Sequence, residues 1–416
     1  MVTDTPRFDV VVAGAGMVGA TLAVALGSAG LRVALVDRMT AAAMADQRFD
    51  GRTSAIAFGS QRAFDRLGVW ALVAENACPI ETIRVSDGPS LLHLQFDPAD
   101  LAPPDRPAPP FGHIVENRFL RAALHQRLQE IENVERLMPD SIVDVASDAG
   151  GVDLTLAGGG ALRASLLVVA EGRQSSLRER LGIGLRRWDY RQTAIVCSVR
   201  HKEPHRNRAQ ERFLPAGPFA LLPMTDDEAG RHRSSIVWTE TTALAPLMLA
   251  LDDVAFGREI SQRFGDHLGA VEPIGGRWSF PLSVQLAERY TAPRAVLVGD
   301  TAHGIHPIAG QGLNLGLRDA AALAETLVDA ARLGLDPGAA DVLARYESWR
   351  RFDILTLAAV TDGLNRLFAT DAAPVRLLRD LGLGLVNRAT PLKRVFMRHA
   401  MGAMGDLPRL IRGEAL

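Results

Sequence analysis

The chain has 416 residues, enough for a large core and more than one lobe. Its formal charge of −2, with 46 Lys and Arg against 48 Asp and Glu, offers no basic face to nucleic-acid phosphates. Two cysteines, Cys78 and Cys197, exclude a disulfide framework or a CxxC motif, and no window nears the roughly 18 uninterrupted apolar residues of a membrane span.

In chain order, the polar N-terminus MVTDTPRFD reads as no secretory signal and runs into the apolar, β-branched Phe8 to Ala13, a buried parallel strand. Glycines follow, then a helix over Ala20 to Ala29 with Gly30 as its C-cap, then a second strand from Leu31 to Val36. Residues 98–110 carry six prolines, so they form a loop. Val115 to Gln129 reads as an amphipathic helix after an extended segment, and Val152 to Leu156 and Ala164 to Ala170 as strands. Alternation over Thr193 to Val199 and Ser234 to Thr239 predicts antiparallel strands of a second lobe. Ala295 to Val298 is again a buried strand, followed by a glycine-punctuated loop and a helix from Gly316 to Leu333; the remainder has helical spacing.

Gly14-x-Gly16-x-x-Gly19 stands between the first strand and the first helix, the context that gives this spacing its meaning. Gly14 allows the tight turn, Gly16 lets backbone approach a pyrophosphate, and Gly19 lets helix and strand pack closely. Amides at the helix N-terminus then face the anion. Asp37 ends the second strand, where a carboxylate accepts hydrogen bonds from ribose hydroxyls. This motif alone does not separate FAD from NAD.

The later loop separates them. Asp300 follows the strand Ala295 to Val298 at the carboxyl edge of the sheet, where it can hold a ribityl hydroxyl. Gly310-Gln311-Gly312 then opens a helix, and its amides suit the pyrimidine rim of a flavin, where negative charge gathers on reduction.

The stretch His306-Pro307-Ile308-Ala309-Gly310-Gln311-Gly312-Leu313-Asn314-Leu315-Gly316, ending in Asp319, resembles the signature of the class A flavoprotein monooxygenases. That group includes p-hydroxybenzoate hydroxylase, and the ubiquinone-biosynthesis hydroxylases are the family it resembles most. The likeness runs along the chain through GAGMVG, Asp50 to Ala57, Glu171-Gly172, Thr361 to Phe368 and Pro391 to Gly402. Asp37 stands where the family commonly has Glu, and Glu171 where it commonly has Asp, each keeping the charge with a reach altered by a methylene.

The resemblance implies an α/β fold: a Rossmann-like FAD-binding domain with an inserted antiparallel-sheet substrate domain and a helical C-terminal tail. The expected division is 1–75, 105–185 and 276–345 for FAD, 76–104 and 186–275 for substrate, and 346–416 for the tail. Gly14, Gly16, Gly19 and Asp37 would hold the AMP half of FAD. Arg52 and Arg118 would approach ribose or pyrophosphate, although a loop charge and a helix-face ion pair fit them too. Glu171 would lie near the pyrophosphate and Asp300 on the ribitol, and Pro307, Gly310, Gln311, Gly312, Leu313 and Asn314 would contact the isoalloxazine. Leu221, Pro223 and Pro307 are candidate walls of the substrate pocket, with an ordinary strand and turn as the equal alternative for FALLP.

The implied reaction is hydroxylation of a polyprenyl phenol ring in ubiquinone biosynthesis. NADH or NADPH would reduce FAD transiently, and O2 would add as a C4a-hydroperoxide. No catalytic residue and no metal is assigned, because His303 and His306 lack a third ligand. A related FAD-dependent epoxidase or polyprenyl reductase shares these motifs, and a flavin-stabilised scaffold of a quinone-biosynthesis complex is the reading from another class. Few cysteines suit a cytoplasmic location, peripheral at the inner face of the membrane if Leu377 to Met401, with Arg379, Arg388, Lys393, Arg394 and Arg398, meets anionic lipid. A packing or oligomer-forming tail is the alternative, and complex partners and oligomeric state stay open.

Overall fold

A computed structural model describes residues 5–88, 93–101, 108–305, 310–369 and 389–416. Strand Arg7–Ala13 lies inside a parallel sheet, between Ala161–Val169 and Val33–Val36, which Ala295–Leu297 and Val134–Leu137 extend at either side. Val10, Val11 and Val12 are all 0% exposed, so both faces of this strand are covered, as its unbroken apolar run requires.

Helix Met17–Ser28 starts earlier than its alanine-rich stretch suggests, because Gly16 is its N-cap. Leu22, Val24 and Leu26 are wholly buried, each contributing roughly 1.5–3 kcal/mol of burial free energy. Gly27 admits the neighbouring strand: a Cβ there would come 2.4 Å from Val134 Cγ2. The expected helix over Val115 to Gln129 is a strand, Gly112–Glu116, running into helix Asn117–Gln129.

The second sheet is mostly antiparallel. In spatial order it holds His303–Gly304, Val271–Ala287, Leu185–His201, Arg233–Thr241, Gly217–Met224, Arg208–Leu214, Thr82–Asp87 and His93–Phe96. The two segments expected to be antiparallel strands pair with each other directly, Val196 opposite Val237. One face carries Ile195, Cys197, Phe219, Leu221, Ile236 and Trp238, which bury against Phe256 and Ile260 of helix Asp253–Phe264. A small third sheet joins Thr53–Ala57, Gly112–Glu116 and Ala77–Pro79.

Two elements tie the large sheets together. Strand Val271–Ala287 spans 17 residues and ends where the Ala287 amide donates to Ala302 O at 2.8 Å, beside the late glycine loop. Helix Ala340–Ala369 runs from Tyr346, whose hydroxyl donates to Leu297 O at 3.2 Å, to Phe368, stacked on Phe213 at 3.8 Å. Helices Thr390–Ala400 and Arg409–Arg412 follow. Among the described residues, no helix is long and apolar enough to cross a membrane.

Candidate functional site

The glycine turn is built as its spacing demands. Gly14 has φ +109°, and a Cβ there would lie 2.4 Å from Ala170 O; at Gly19 it would lie 1.9 Å from Gly14 O. At Gly16 a Cβ would meet nothing within 4 Å. Gly14 and Gly19 therefore serve the fold, whereas Gly16 borders open space. Helix Met17–Ser28 has no side-chain cap, so its first amides remain available to an anion. Asp37 Oδ2 accepts from the Ala15 amide at 2.7 Å and Oδ1 from the Met39 amide at 2.8 Å. A carboxylate has about four lone-pair positions, so it braces the turn and still has capacity for hydroxyls.

The second half of the cleft repeats this construction. Gly310, left-handed at φ 62°, is the N-cap of helix Gln311–Arg332, again without a side-chain cap, and a Cβ on Gly312 would meet nothing within 4 Å. Two glycine-opened helix N-termini, with no described atom within 4 Å of a Cβ on Gly16 or Gly312, are the cradle that a dinucleotide carrying a flat ring system needs. The residues present fit FAD.

Asp300 is half-exposed, with Arg173 Nε 3.5 Å from its carboxylate. Its backbone is held from behind. Asp319, wholly buried, accepts from the Gly299 amide at 3.0 Å and from Arg350 Nε at 2.7 Å, and makes a short hydrogen bond with His303 Nε2. Arg350 also reaches Asp353 at 2.7 Å, which pairs with Arg318 at 2.7 Å. Burial alone would raise the Asp319 carboxyl, but His303 and Arg350 outweigh it and hold it at about 2. His303 thus fixes the loop that presents Asp300; His306 and Pro307 lie outside the described residues.

Strand Thr53–Ala57 forms the floor between the halves. Asn314 Nδ2 donates to Ala55 O at 2.9 Å, and its Oδ1 accepts from the Ala57 amide at 2.9 Å. Expected only as a backbone contact, Asn314 spends its side chain joining this strand to the helix start. Leu313 is half-buried against the main core. Arg52 is held by Asp50, at 2.6 Å from Nη2, and lies over the Trp278 ring at 4.8 Å. Arg118 pairs with Glu116 at 2.8 Å and donates to Gln47 O at 2.6 Å. Both guanidiniums stand around the loop before Thr53, each with a protein partner. The Glu171 amide nitrogen is 3.1 Å from the Cβ position of Gly14, beside the turn, while its carboxylate accepts from Ser175 Oγ at 2.7 Å and the Leu177 amide at 3.2 Å.

Sequence reasoning passed over Arg173. Its Nη2 donates to Ile305 O at 3.1 Å and its Nη1 lies 3.3 Å from Ser283 O, so it joins Asp300, the late loop and strand Val271–Ala287. A cation two positions after Glu171 was the available signal. Arg350 and Asp353 carried a fainter one, an i, i+3 charge pair on a helix with apolar neighbours.

On the second sheet, alternation decides which residues face this floor. Ser235 Oγ accepts from Thr53 Oγ1 at 2.8 Å and Ser198 Oγ donates to Gly51 O at 3.2 Å. Leu222 pairs with Ser235, and Ala220 and Val196 with Val237, so these share that face, half-buried. Leu221 and Pro223 have the opposite parity, and Leu221, 1% exposed, packs into the outer core with Trp238. FALLP is a strand, and the side chains it turns toward the floor are Ala220 and Leu222.

A cavity of about 710 Å³ adjoins Phe49 and Arg118. Arg118, Arg200, Arg231 and Arg233 line it, but so do Glu75, Asp226, Asp227 and Glu228. Its lining carries four cations and four anions, so it has no net charge. Burial pushes the free thiols of Cys78 and Cys197 up to about 12, which makes them inert packing residues. Among the described residues, no group of three His, Cys, Asp or Glu side chains is placed to hold a metal ion.

The sequence profile of the FAD binding domain matches residues 7–353. Ubiquinone hydroxylase UbiL of Rhodospirillum rubrum is 49% identical, over 98% of this chain and 93% of its own. The 3-demethoxyubiquinol 3-hydroxylase of Escherichia coli is 34% identical over 96% and 100%. In fold the chain is similar to the p-nitrophenol 4-monooxygenase PnpA of Pseudomonas putida DLL-E4, with a TM-score of 0.79 at 20% identity, covering 97% of this chain and 100% of that one.

Proposed function

The chain belongs to the FAD-binding family that holds the ubiquinone hydroxylases, and from that premise we propose that it hydroxylates the aromatic ring of a polyprenyl phenol in ubiquinone biosynthesis. FAD is its cofactor, NAD(P)H its reductant and O2 its co-substrate. The observation that carries this reading is 49% identity to a ubiquinone hydroxylase over nearly the whole chain, joined to two helix N-termini without side-chain caps, where a Cβ on Gly16 or Gly312 meets no described atom within 4 Å.

When bound, FAD supplies the redox chemistry: it takes reducing equivalents from the nicotinamide and activates O2. The chain's own residues bind, orient and exclude water. The amides after Gly16 would hold the pyrophosphate, Asp37 the ribose and Asp300 the ribityl chain, and the amides after Gly310 would stabilise the negative charge that reduction places on the flavin. Val196, Ala220, Leu222 and Val237 offer an apolar wall against Thr53–Ala57, which suits a ring without ionic substituents and keeps water from the reacting atoms. No described side chain is assigned a proton-transfer role. A polyprenyl substrate resides in a bilayer, so the enzyme meets it at the membrane surface or receives it from a partner of a quinone-biosynthesis complex.

The test is oxygen uptake by the flavin-loaded protein with NADH or NADPH and a polyprenyl phenol, followed by mass spectrometry of the ring after reaction under isotopically labelled O2. Labelled oxygen on an aromatic carbon is expected. NAD(P)H oxidation yielding only hydrogen peroxide with every phenol tried would refute the assignment.

A further inference from the structure

Helix Asn117–Gln129 buries Leu120, Ala123, Leu124 and Leu128, and among these apolar residues it also buries His125, 2% exposed. Burial holds the His125 imidazole below its ordinary value of 6.5, so the ring is neutral and carries one proton. Its Nε2 lies 3.2 Å from Ala15 O. A carbonyl oxygen only accepts, so the proton is on Nε2 and is donated there. Nδ1 is buried and has no hydrogen-bond partner among the described residues. Packing alone is a poor account of this residue, because an apolar side chain would fill the position without burying an unpaired polar atom.

Ala15 stands between Gly14, at φ +109°, and Gly16, at φ −64° and ψ 177°. The peptide groups on either side of it are each gripped once. The Ala15 amide donates to Asp37 Oδ2 at 2.7 Å, and the Ala15 carbonyl accepts from His125. That carbonyl and the Gly16 amide are the two ends of one planar trans peptide, so they point in opposite directions. A donor seated on the carbonyl therefore fixes the direction of the Gly16 N–H, away from the imidazole. It also polarises that N–H, since hydrogen bonds along one peptide reinforce each other. Glycine leaves this peptide easy to rotate. Half a turn would put the carbonyl oxygen where the amide now stands, and an anion there would meet an acceptor instead of a donor.

We propose that His125 is a positioning residue for the pyrophosphate of FAD: its Nε2–H holds the Ala15–Gly16 peptide so that the Gly16 amide faces the anion. The role rests on the pyrophosphate lying at Gly16, as proposed above, and not on which ring is hydroxylated.

The test compares His125→Phe and His125→Leu, which have no donor, with His125→Gln, whose amide nitrogen restores one at similar reach. FAD and ADP are titrated calorimetrically into the full chain stripped of flavin; ADP carries the pyrophosphate without the flavin ring. The apolar variants lose one buried donor and one unpaired acceptor together, so the Tm of the flavin-free chain should stay within about 2 °C. Their dissociation constants for FAD and for ADP should rise together by about tenfold, and His125→Gln should return both to within about threefold of the parent. At saturating FAD the absorbance spectrum of the bound flavin should match the parent's. Unchanged FAD affinity in a folded apolar variant overturns the proposal, and so does a loss that His125→Gln fails to recover or that spares ADP. Unfolding of both apolar variants without flavin would mark the residue as structural and overturn it as well. Gly16→Ala, titrated alongside, separates the two readings. If it weakens FAD while the His125 variants do not, the histidine's role fails and the pyrophosphate site stands; if none of them weakens FAD, the site itself lies elsewhere.

Discussion

Arg350 Nε donates to Asp319 Oδ1 at 2.7 Å, and both side chains are 1% exposed or less. The pair lies behind the functional loop, because the other Asp319 oxygen holds the Gly299 amide and His303. A buried ion pair is weak as a source of net stability but costly to break from one side. Arg350→Met should therefore destabilise the protein by about 3–5 kcal/mol, measured by denaturant unfolding, with loss of bound FAD before global unfolding. Replacing both partners, as Asp319→Leu with Arg350→Met, should cost less than Asp319→Leu alone, which leaves the buried Arg350 guanidinium without that carboxylate. A double variant worse than the single one contradicts this account.

The same pair sets an acid limb. The Asp319 carboxyl is held at about 2 in the fold against an ordinary value of 3.8. A depressed folded value contributes stability that is fully present above about pH 4 and is lost as pH falls toward 2, by roughly 2 kcal/mol in all. Asp319→Asn should flatten the stability profile between those limits. A profile in that window identical to the parent's would show that other carboxylates govern it.

The three glycines of the first turn should separate by assay. Gly14→Ala and Gly19→Ala force a Cβ to within 2.4 and 1.9 Å of backbone oxygens, so both should lower Tm and flavin content together. Gly16→Ala meets nothing within 4 Å, so Tm of the flavin-free chain should stay within about 1 °C while FAD affinity falls at least about tenfold. Isothermal titration with FAD checks this, and undiminished affinity would remove Gly16 from the pyrophosphate site.

Asp300 tests the second half of the cleft. Its carboxylate is 47% exposed and its ion pair with Arg173 is 3.5 Å long, so Asp300→Ala should cost at most about 1 kcal/mol of stability. FAD retention through gel filtration should drop sharply nonetheless. A variant that keeps its flavin would place the ribityl chain elsewhere.

Neighbouring leucines on one strand should behave oppositely. Leu221→Ala empties a site in the outer core and should cost about 2–5 kcal/mol, with unchanged oxygen consumption per folded molecule. Leu222→Ala should cost less stability and raise KM for the phenol or the fraction of reduced flavin wasted as peroxide. Equal kinetic effects from both would dissolve the assignment of the inner face.

The residues proposed to hold the cofactor stand out in the sequence because each signal is local. The turn from Gly14 to Gly19, Asp37 at a strand end, Asp300 and the Gly310–Gly312 helix start each depend on backbone geometry within a few residues, and glycine advertises that geometry directly. FALLP named Leu221 and Pro223 as pocket walls, but an all-apolar run with a strand's period of two cannot say which of its faces looks inward. Only tertiary packing settled that, by laying helix Asp253–Phe264 over Leu221 and strand Thr53–Ala57 near Ser235. The same holds for Asn314, which reaches Ala55 across 259 positions, and for Arg350, which finds Asp319 across 31. A buried amide or ion pair is stabilised by whichever partner the fold delivers to it. That partner's identity is a property of three-dimensional proximity, which no local run of residues encodes.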